Sequence, residues 1–536
     1  MVTTMKKILV SIIILSLLIV AFSGCSSMRT SKGQYVGMMD KLREQDYDAC
    51  LEQIEDSKDK FYKEKEKVLF YLDMGMLYHY NGDYVKSNEY LTDAEYAIED
   101  LYTKSVGKAA ASMLLNDNAL DYFGEDYEDI YLNIFKALNY LHMDNFEDAF
   151  VEIRRVNNKL NILEDKYEKI AKQYNESEDK KKEFKIGDNK FQNSALARYL
   201  SMLLYKAEGK YDDARIDMAE IEEAFELQPI VYDFSQPEFD GYLDRTDKAQ
   251  LYFLTFVGNS PEKKANTLWI HTEKDKLIIA TSQEVPGESK NLDPKKEANE
   301  MISATKSFFD AVIDIVPSKK EETSSSSSGT TKQTEQPSSK SSGSTKKEVV
   351  QEEPKQELTT LDIIEWEGME AGYHFKFPLP YMEKLGTDIS RIEVMIDNKQ
   401  MYKLYPLESL ENAAFVTYKI KEPLIYLKTI TRTVVKGLLA EQGKQEMVNQ
   451  VGDNLFGKLA MIATDVAVDA TENADLRISR FFPSMAYIGN VSIEPGTHSV
   501  RINYFDTNNK LVFSDFMEQK EVSKDGLNLI ESYYLD

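Results

Sequence analysis

Three stretches of this 536-residue chain carry an aromatic residue, a second aromatic six positions on, and a small residue three further. They are Tyr78, Tyr84 and Ser87; Tyr140, Phe146 and Ala149; and Tyr205, Tyr211 and Ala214. Turn-forming residues precede each second aromatic: Asn81-Gly82-Asp83, Met143-Asp144-Asn145 and Glu208-Gly209-Lys210. This spacing predicts a helical hairpin. The first aromatic closes one helix, the polar or glycine step turns the chain, and the small residue opens a second helix where the first must approach closely. Tyr47 and Cys50 carry the tail of a still earlier unit. Successive second aromatics lie close to two ~34-residue repeats apart, so extra helix must fill the gaps. Ile153, Val156, Leu160, Leu163, Tyr167, Ile170 and Tyr174 alternate by three and four, which predicts one long helix running into the charged tip at Glu176–Glu183. Its apolar seam either packs within the chain or zips to another one. The polar tip and a return at Gly187 favour packing within the chain.

The hairpin pattern resembles the later half of the tetratricopeptide repeat, whose tyrosine, tyrosine and alanine stand at the same spacing. Tyr71, Gly75 and Ala137 fit the helix-A positions of that repeat, whereas Asn133, Arg198 and Met202 depart from it. The resemblance implies an array over residues 25–247 whose concave surface takes peptide segments or other domains. An acidic surface there favours basic or amphipathic partners, or it only keeps the array soluble.

The N-terminus points to export. Lys6 and Lys7 precede the aliphatic run Ile8–Phe22, which is short of the ~20 residues a spanning helix needs and suits a signal-peptide core. Ser23-Gly24-Cys25 then places small residues before a cysteine. The stretch resembles a bacterial lipobox, with its usual leucine displaced to Leu18. That resemblance implies cleavage after residue 24 and acylation of Cys25, so that the chain is lipid-anchored and faces away from the cytoplasm. In a bacterium with two membranes, Ser26 after the cysteine implies the outer one; otherwise the outer face of the cell membrane is implied. Cys50 reads as a small buried thiol, since no histidine or basic cluster adjoins it.

Residues 248–536 read as a split β domain. Leu251–Val257, Thr267–Ile270 and Lys276–Ser282 are predicted strands, followed by an amphipathic helix over Lys296–Val316. From 318 to 360 the chain is rich in Ser, Thr, Lys and Glu, includes five consecutive serines at Ser324–Ser328 and lacks any aromatic, so it is expected to stay disordered. Strands resume at Tyr373–Leu379, Arg391–Asp397 and Met401–Leu404, which makes the serine-rich stretch an insertion within one domain occupying 248–317 and 361–536. Glu422–Gln442 and Asp453–Asp475 are expected helices, the second lined with Gly457, Ala460, Ala463, Ala467 and Ala470. Strands Met485–Ile488, Val491–Ile493, His498–Phe505 and Leu511–Phe516 complete a β-sandwich, with an immunoglobulin-like arrangement in view. The expected fold is therefore α+β and multidomain: a TPR-like helical array, then a sandwich-like domain with an inserted helix pair and a disordered Ser-rich insertion.

A net charge of −26 argues against nucleic acid as a partner. Two cysteines make neither a disulfide framework nor a thiolate zinc site. No phosphate-binding loop, dinucleotide fingerprint, His-Glu-x-x-His or Gly-x-Ser-x-Gly occurs. The histidines His79, His142, His271, His374 and His498 are scattered singly, so neither a metal nor a cofactor is expected. Glu472, Asp475, Arg477 and Arg480 form the one tight charged cluster. Its acids suit acid–base work on a glycan, or the cluster is an ion-pair network holding the helix pair against the sheet.

Further motifs carry a second resemblance. Gly124-Glu125-Asp126-Tyr127-Glu128 with Lys136–Leu141, Glu472–Arg477 with Phe482-Pro483, Pro495–His498, and Arg432 with Lys436 are similar to a family of uncharacterised bacterial lipoproteins with TPR-like repeats. Genes of that family lie in some bacteria near those of lipoprotein activators of peptidoglycan synthases, which implies an envelope role by association. The expected function is a lipid-anchored, non-catalytic scaffold or adaptor binding envelope proteins. The alternatives are a glycan- or peptidoglycan-binding lipoprotein, resting on the aromatic-rich strands Leu251–Val257 and Tyr373–Leu379, and then an envelope hydrolase.

Overall fold

The computed structural model describes residues 33–106, 120–175, 187, 189–274, 276–282, 358–365, 374–442 and 474–535. Cys25, Glu472, the expected helix over 296–316, most of the Ser-rich stretch and residues 453–473 lie outside them. The N-terminal half is helical and the C-terminal half is built of sheets.

The helices come in pairs: α1 (Met38–Arg43) with α2 (Tyr47–Phe61), α3 (Lys67–Tyr80) with α4 (Tyr84–Val106), α5 (Asp126–His142) with α6 (Phe146–Asn175), and α7 (Ala195–Ala207) with α8 (Tyr211–Leu227). Each pair turns at a residue in left-handed backbone: Gln45 (φ 57°), Gly82 (79°), Asp144 (55°) and Gly209 (75°). One hydrogen bond recurs in all of them. The carbonyls of Lys41, Tyr78, Tyr140 and Tyr205 accept from the N–H groups of Asp46, Asp83, Asn145 and Lys210. These are Schellman closures, and they explain why the first signature residue and the turn keep a fixed spacing. The small residues do what their size suggests: Cys50, Ser87, Ala149 and Ala214 are all fully buried. Ser87 donates its hydroxyl to the carbonyl of Gly75 at 2.8 Å, and a Cβ at Gly75 would sit 2.6 Å from Leu91. The seam of α6 is satisfied inside the chain, with Ile153, Val156, Leu160, Leu163 and Tyr167 buried.

Among the described residues the sheet half has three four-stranded sheets. The first is ordered β12-β1-β9-β8, from Asn528–Tyr534, Ala249–Val257, Met485–Ile493 and Tyr405–Ser409. The second is β11-β10-β6-β7, from Leu511–Val522, Gly496–Asp506, Ile389–Ile396 and Gln400–Lys403. The third is β4-β3-β2-β5, from Leu358–Glu365, Lys276–Ser282, Glu262–Glu273 and His374–Glu383. Because β3 pairs with β4, the two flanks of residues 283–357 belong to one sheet. Strand β1 is the central layer. Leu251, Phe253 and Val257 face a core shared with Ile392, Val394, Ile502 and Tyr504 of the second sheet. Tyr252, Leu254 and Phe256 face the other way, into a core shared with the helices. Period-2 alternation with both faces buried therefore places helices, first sheet and second sheet in three layers.

Several expectations need correction. The helix expected at Glu422–Gln442 begins at Leu410 and runs through Pro423 (α9, Leu410–Gln442). Proline removes the N–H that Lys419 would receive, and Gly187 approaches so closely there that any side chain on it would collide with the Lys419 carbonyl, while its own N–H donates to Ile420. The two pieces Met485–Ile488 and Val491–Ile493 form one strand, β9; Gly489 is not a break but the place where Leu404 packs against bare backbone. Ala474 and Asp475, expected at a helix end, lie outside any helix. Strands β4, β8 and β12 lie outside the expected set, and β12 pairs with β1 in parallel.

Candidate functional site

The face presented by α3, α5 and α7 is covered by the sheet half, and the covering begins with an irregular, bending segment, Arg477–Ser484. Ser479 is the centre of this contact. Its N–H donates to Glu128 Oε1 at 2.6 Å, and its hydroxyl donates to Asp73 Oδ1 at 2.7 Å. Tyr80 donates to the Phe481 carbonyl at 2.6 Å, and Phe482 packs edge-on against Tyr127 and Phe135. The segment lies across α3 and α5 as a bound peptide would, read through its backbone and two buried rings.

Both carboxyls at Ser479 are fully buried and accept hydrogen bonds from neutral donors. Asp73 accepts from the hydroxyls of Tyr35 and Tyr62 at 2.7 and 2.6 Å; burial nevertheless lifts it to about 7. Glu128 accepts from Tyr122 and from the N–H of Glu125, and it closes a capping box at the start of α5. Burial, with the neighbouring Glu125 charge, pushes Glu128 up to about 8.

The adjoining acids are instead paired with lysines. Glu125 meets Lys263 of β2 at 2.7 Å and Lys421 of α9 at 2.6 Å. Asp126 meets Lys166 of α6 at 2.7 Å and accepts from Tyr167. Burial alone would raise Asp126, but Lys166 and Lys421 outweigh it and hold the group at about 2. The stretch Gly124–Glu128 is thus the meeting point of α5, α6, α9, β2 and the Ser479 segment.

Of the charged cluster, Asp475 and Arg477 pair at 2.8 Å, and Arg477 continues to Glu66 at 3.6 Å, to the Leu120 carbonyl and over the Tyr122 ring. Burial works against the Asp475 charge, but Lys263 and Arg477 prevail and hold it well below the usual carboxylate range. Arg480 turns away and pairs with Glu262 of β2. The structure therefore separates the arginines, and the acid of the pair is held charged by cations rather than poised to donate a proton.

Two further carboxylates from the sheet half reach the helices, and neither stood out in the sequence. Glu531 of β12 meets His142 at 2.6 Å and His79 at 3.3 Å. Its own burial is outweighed by the two imidazoles, which hold it at about 2. Tyr84, a signature residue, stacks on His142 with ring centres 4.3 Å apart. Glu408 of β8 accepts from Leu196 N–H, Ser194, Tyr131 and Tyr232 at the N-terminus of α7, and burial raises its pKa. The histidines are thus not single: two share Glu531, and strand register sets His271 opposite His374. Among the described residues no His, Cys, Asp or Glu group is arranged to hold a metal ion, and no helix is long and apolar enough to cross a membrane.

The remaining signature residues are structural. Tyr78 stacks on Tyr90, Tyr205 packs at a tilt against Phe150, and Tyr211 lies under Arg245. Tyr140 and Phe146 flank the second turn half-buried. The rings of Tyr252, Phe253 and Phe256, which could have stacked on a sugar, are buried in the two cores. Comparison with family models, curated proteins and solved structures gives no match, so function has to be argued from this geometry.

Proposed function

We propose that this chain is a non-catalytic scaffold of the bacterial cell envelope, exported as a lipoprotein and anchored through an acylated Cys25, with hairpins that are degenerate tetratricopeptide repeats. The observation that carries the scaffold reading is the junction. The side chains that in an enzyme would be poised in a cleft are here buried and consumed in contacts between the two halves, from Glu128 with Ser479 to Arg477 with Glu66. A repeat array that uses its helix-A face on its own chain becomes a rigid platform, and its partners dock on what remains outside. An association with peptidoglycan synthesis rests on the family resemblance of the motifs.

The test is crosslinking in cells that carry a tagged chain, with Cys25→Ser as control. The scaffold reading predicts specific envelope proteins recovered with the anchored form and an unprocessed precursor from the variant. Turnover of an envelope polymer by the purified protein, or a mature-sized and membrane-bound Cys25→Ser protein, contradicts it.

A further inference from the structure

Phe516 and Met401 stand on opposite edges of one sheet, and both are exposed, at 46% and 53%. The register shows what lies between them. Ile392, Val394, Val500, Ile502 and Tyr504 face the core, so their alternates form the outer face of β11-β10-β6-β7. One row runs Met401, Met395, Arg501, Phe516; the next Lys403, Glu393, Asn503, Ser514; the third Arg391, Phe505, Leu511.

The composition of these rows is unlike that of the rest of the surface. The chain carries −26 overall, yet the rows hold Arg391, Arg501 and Lys403 against Glu393 alone. Of the carboxylates beyond these rows, Asp397 is held by His498 and Ser499 and Asp506 by backbone N–H groups, while Glu518 and Glu521 are exposed where β11 continues past Phe516. Methionine, arginine and aromatic rings together are the signature of the centre of a protein interface. Tyr96 and Ile162, exposed on the helices, are flanked in sequence by acids, Asp93, Glu99 and Asp100 for the first and Glu164 and Asp165 for the second.

The arginines are pre-organised. Arg391 lies 3.8 Å above the Phe505 ring and Arg501 4.2 Å above Phe516. A guanidinium stacked in this way keeps its N–H edge free for a carboxylate, and less side-chain freedom is lost when one arrives. Arg391 already has Glu393; among the described residues no carboxylate lies within ion-pair range of Arg501. A sugar would need the ring faces that the guanidinium groups cover.

We propose that the outer face of β11-β10-β6-β7 is the docking face of the scaffold, and that it takes an acidic protein segment whose carboxylates reach Arg501 and Arg391 and whose apolar side chains pack on Met395, Met401 and Phe516. This inference rests on the scaffold reading and names the surface that reading needs.

The experiment places a photo-reactive amino acid at position 516 or 401 of the full chain in cells, with positions 96 and 162 on the helices as controls. The expected result is a protein adduct from 516 and 401 that maps to an acidic segment. Arg501→Glu, and independently Met401→Asp probed from 516, should lower its yield about tenfold with thermal unfolding unchanged. Reversing the adducted carboxylates in the partner should restore the yield with Arg501→Glu. A yield unmoved by either substitution, an adduct on a glycan, a lipid or a second copy of this chain, or a segment without acids overturns the proposal. Adducts from 96 and 162 alone overturn it while leaving the scaffold reading standing; no adduct from any position removes both.

Discussion

The backbone N–H of Ser479 donates to the buried carboxyl of Glu128 at 2.6 Å, joining two residues 351 positions apart. Among the described residues no cation lies within ion-pair range of this carboxyl, and the same serine reaches Asp73 on the neighbouring hairpin. One irregular segment thereby holds α3 and α5 at once, which makes the charge state of two carboxyls a property of the whole molecule.

That arrangement fixes a pH dependence. Asp73 and Glu128 are raised to about 7 and about 8 from an ordinary ~4. The stability they contribute is complete below pH ~4 and is lost as the pH rises through their folded values. Asp126 and Glu531, lowered to about 2, act oppositely: their contribution is present above the ordinary ~4.3 and fades as the pH falls towards 2. Urea unfolding from pH 3 to 9 should show a maximum near pH ~5 and a decline through neutrality. A stability that climbs between pH 6 and 8 contradicts this assignment.

Glu128→Gln keeps a neutral acceptor where the acid is neutral and should flatten the alkaline decline. Glu128→Ala leaves Ser479 N–H and the Tyr122 hydroxyl buried without a partner and should cost about 2–4 kcal/mol in urea unfolding. Equal losses from both variants would mean that the carboxyl is charged in the folded state.

Lys263→Met removes a cation that sits 2.7 Å from Glu125, both being almost fully buried. Glu125 keeps Lys421 at 2.6 Å, so the loss should stay below the ~3–5 kcal/mol of a fully orphaned buried carboxylate, and adding Glu125→Gln should return part of it. A single-variant cost under 1 kcal/mol would show that the junction is solvated.

Gly75→Val tests the hairpin crossing. Its side chain would meet Leu91 at 2.6 Å, so overpacking should cost about 1–3 kcal/mol, whereas Val85→Thr on the exposed side of α4 should stay within about 0.5 kcal/mol. Thermal unfolding reads both.

The hairpins were legible because size and turn chemistry are local: an αL turn, a Schellman carbonyl and a buried Ser87, Ala149 or Ala214 leave their marks within ten residues. The sheet half was legible wherever apolar residues alternate. It was hidden at β12 and β8, because Glu531 and Glu408 point into the helices, and a charged residue in a strand reads as a solvent-facing one until its partners are known. Pro423 hid the first turns of α9 in the same way, as a helix start rather than an interior residue. The charged cluster was seen in part. Asp475 and Arg477 do pair, but the groups that complete the junction, Glu125, Asp126 and Glu128, lie about 350 residues earlier, and no spacing rule connects them.

The central claim is that the two halves form one cooperative unit, and native-state hydrogen exchange measures it most directly. The amides of Ser479, of Leu254 and Ile530 in the first sheet, and of Leu77 in α3 should exchange with the same free energy, equal to that of global unfolding. Asp475→Asn should lower all of them together. An array whose amides keep their protection while those of Ser479 and Ile530 open at lower free energy would contradict the claim, and with it the reading of the junction as the core of a rigid scaffold.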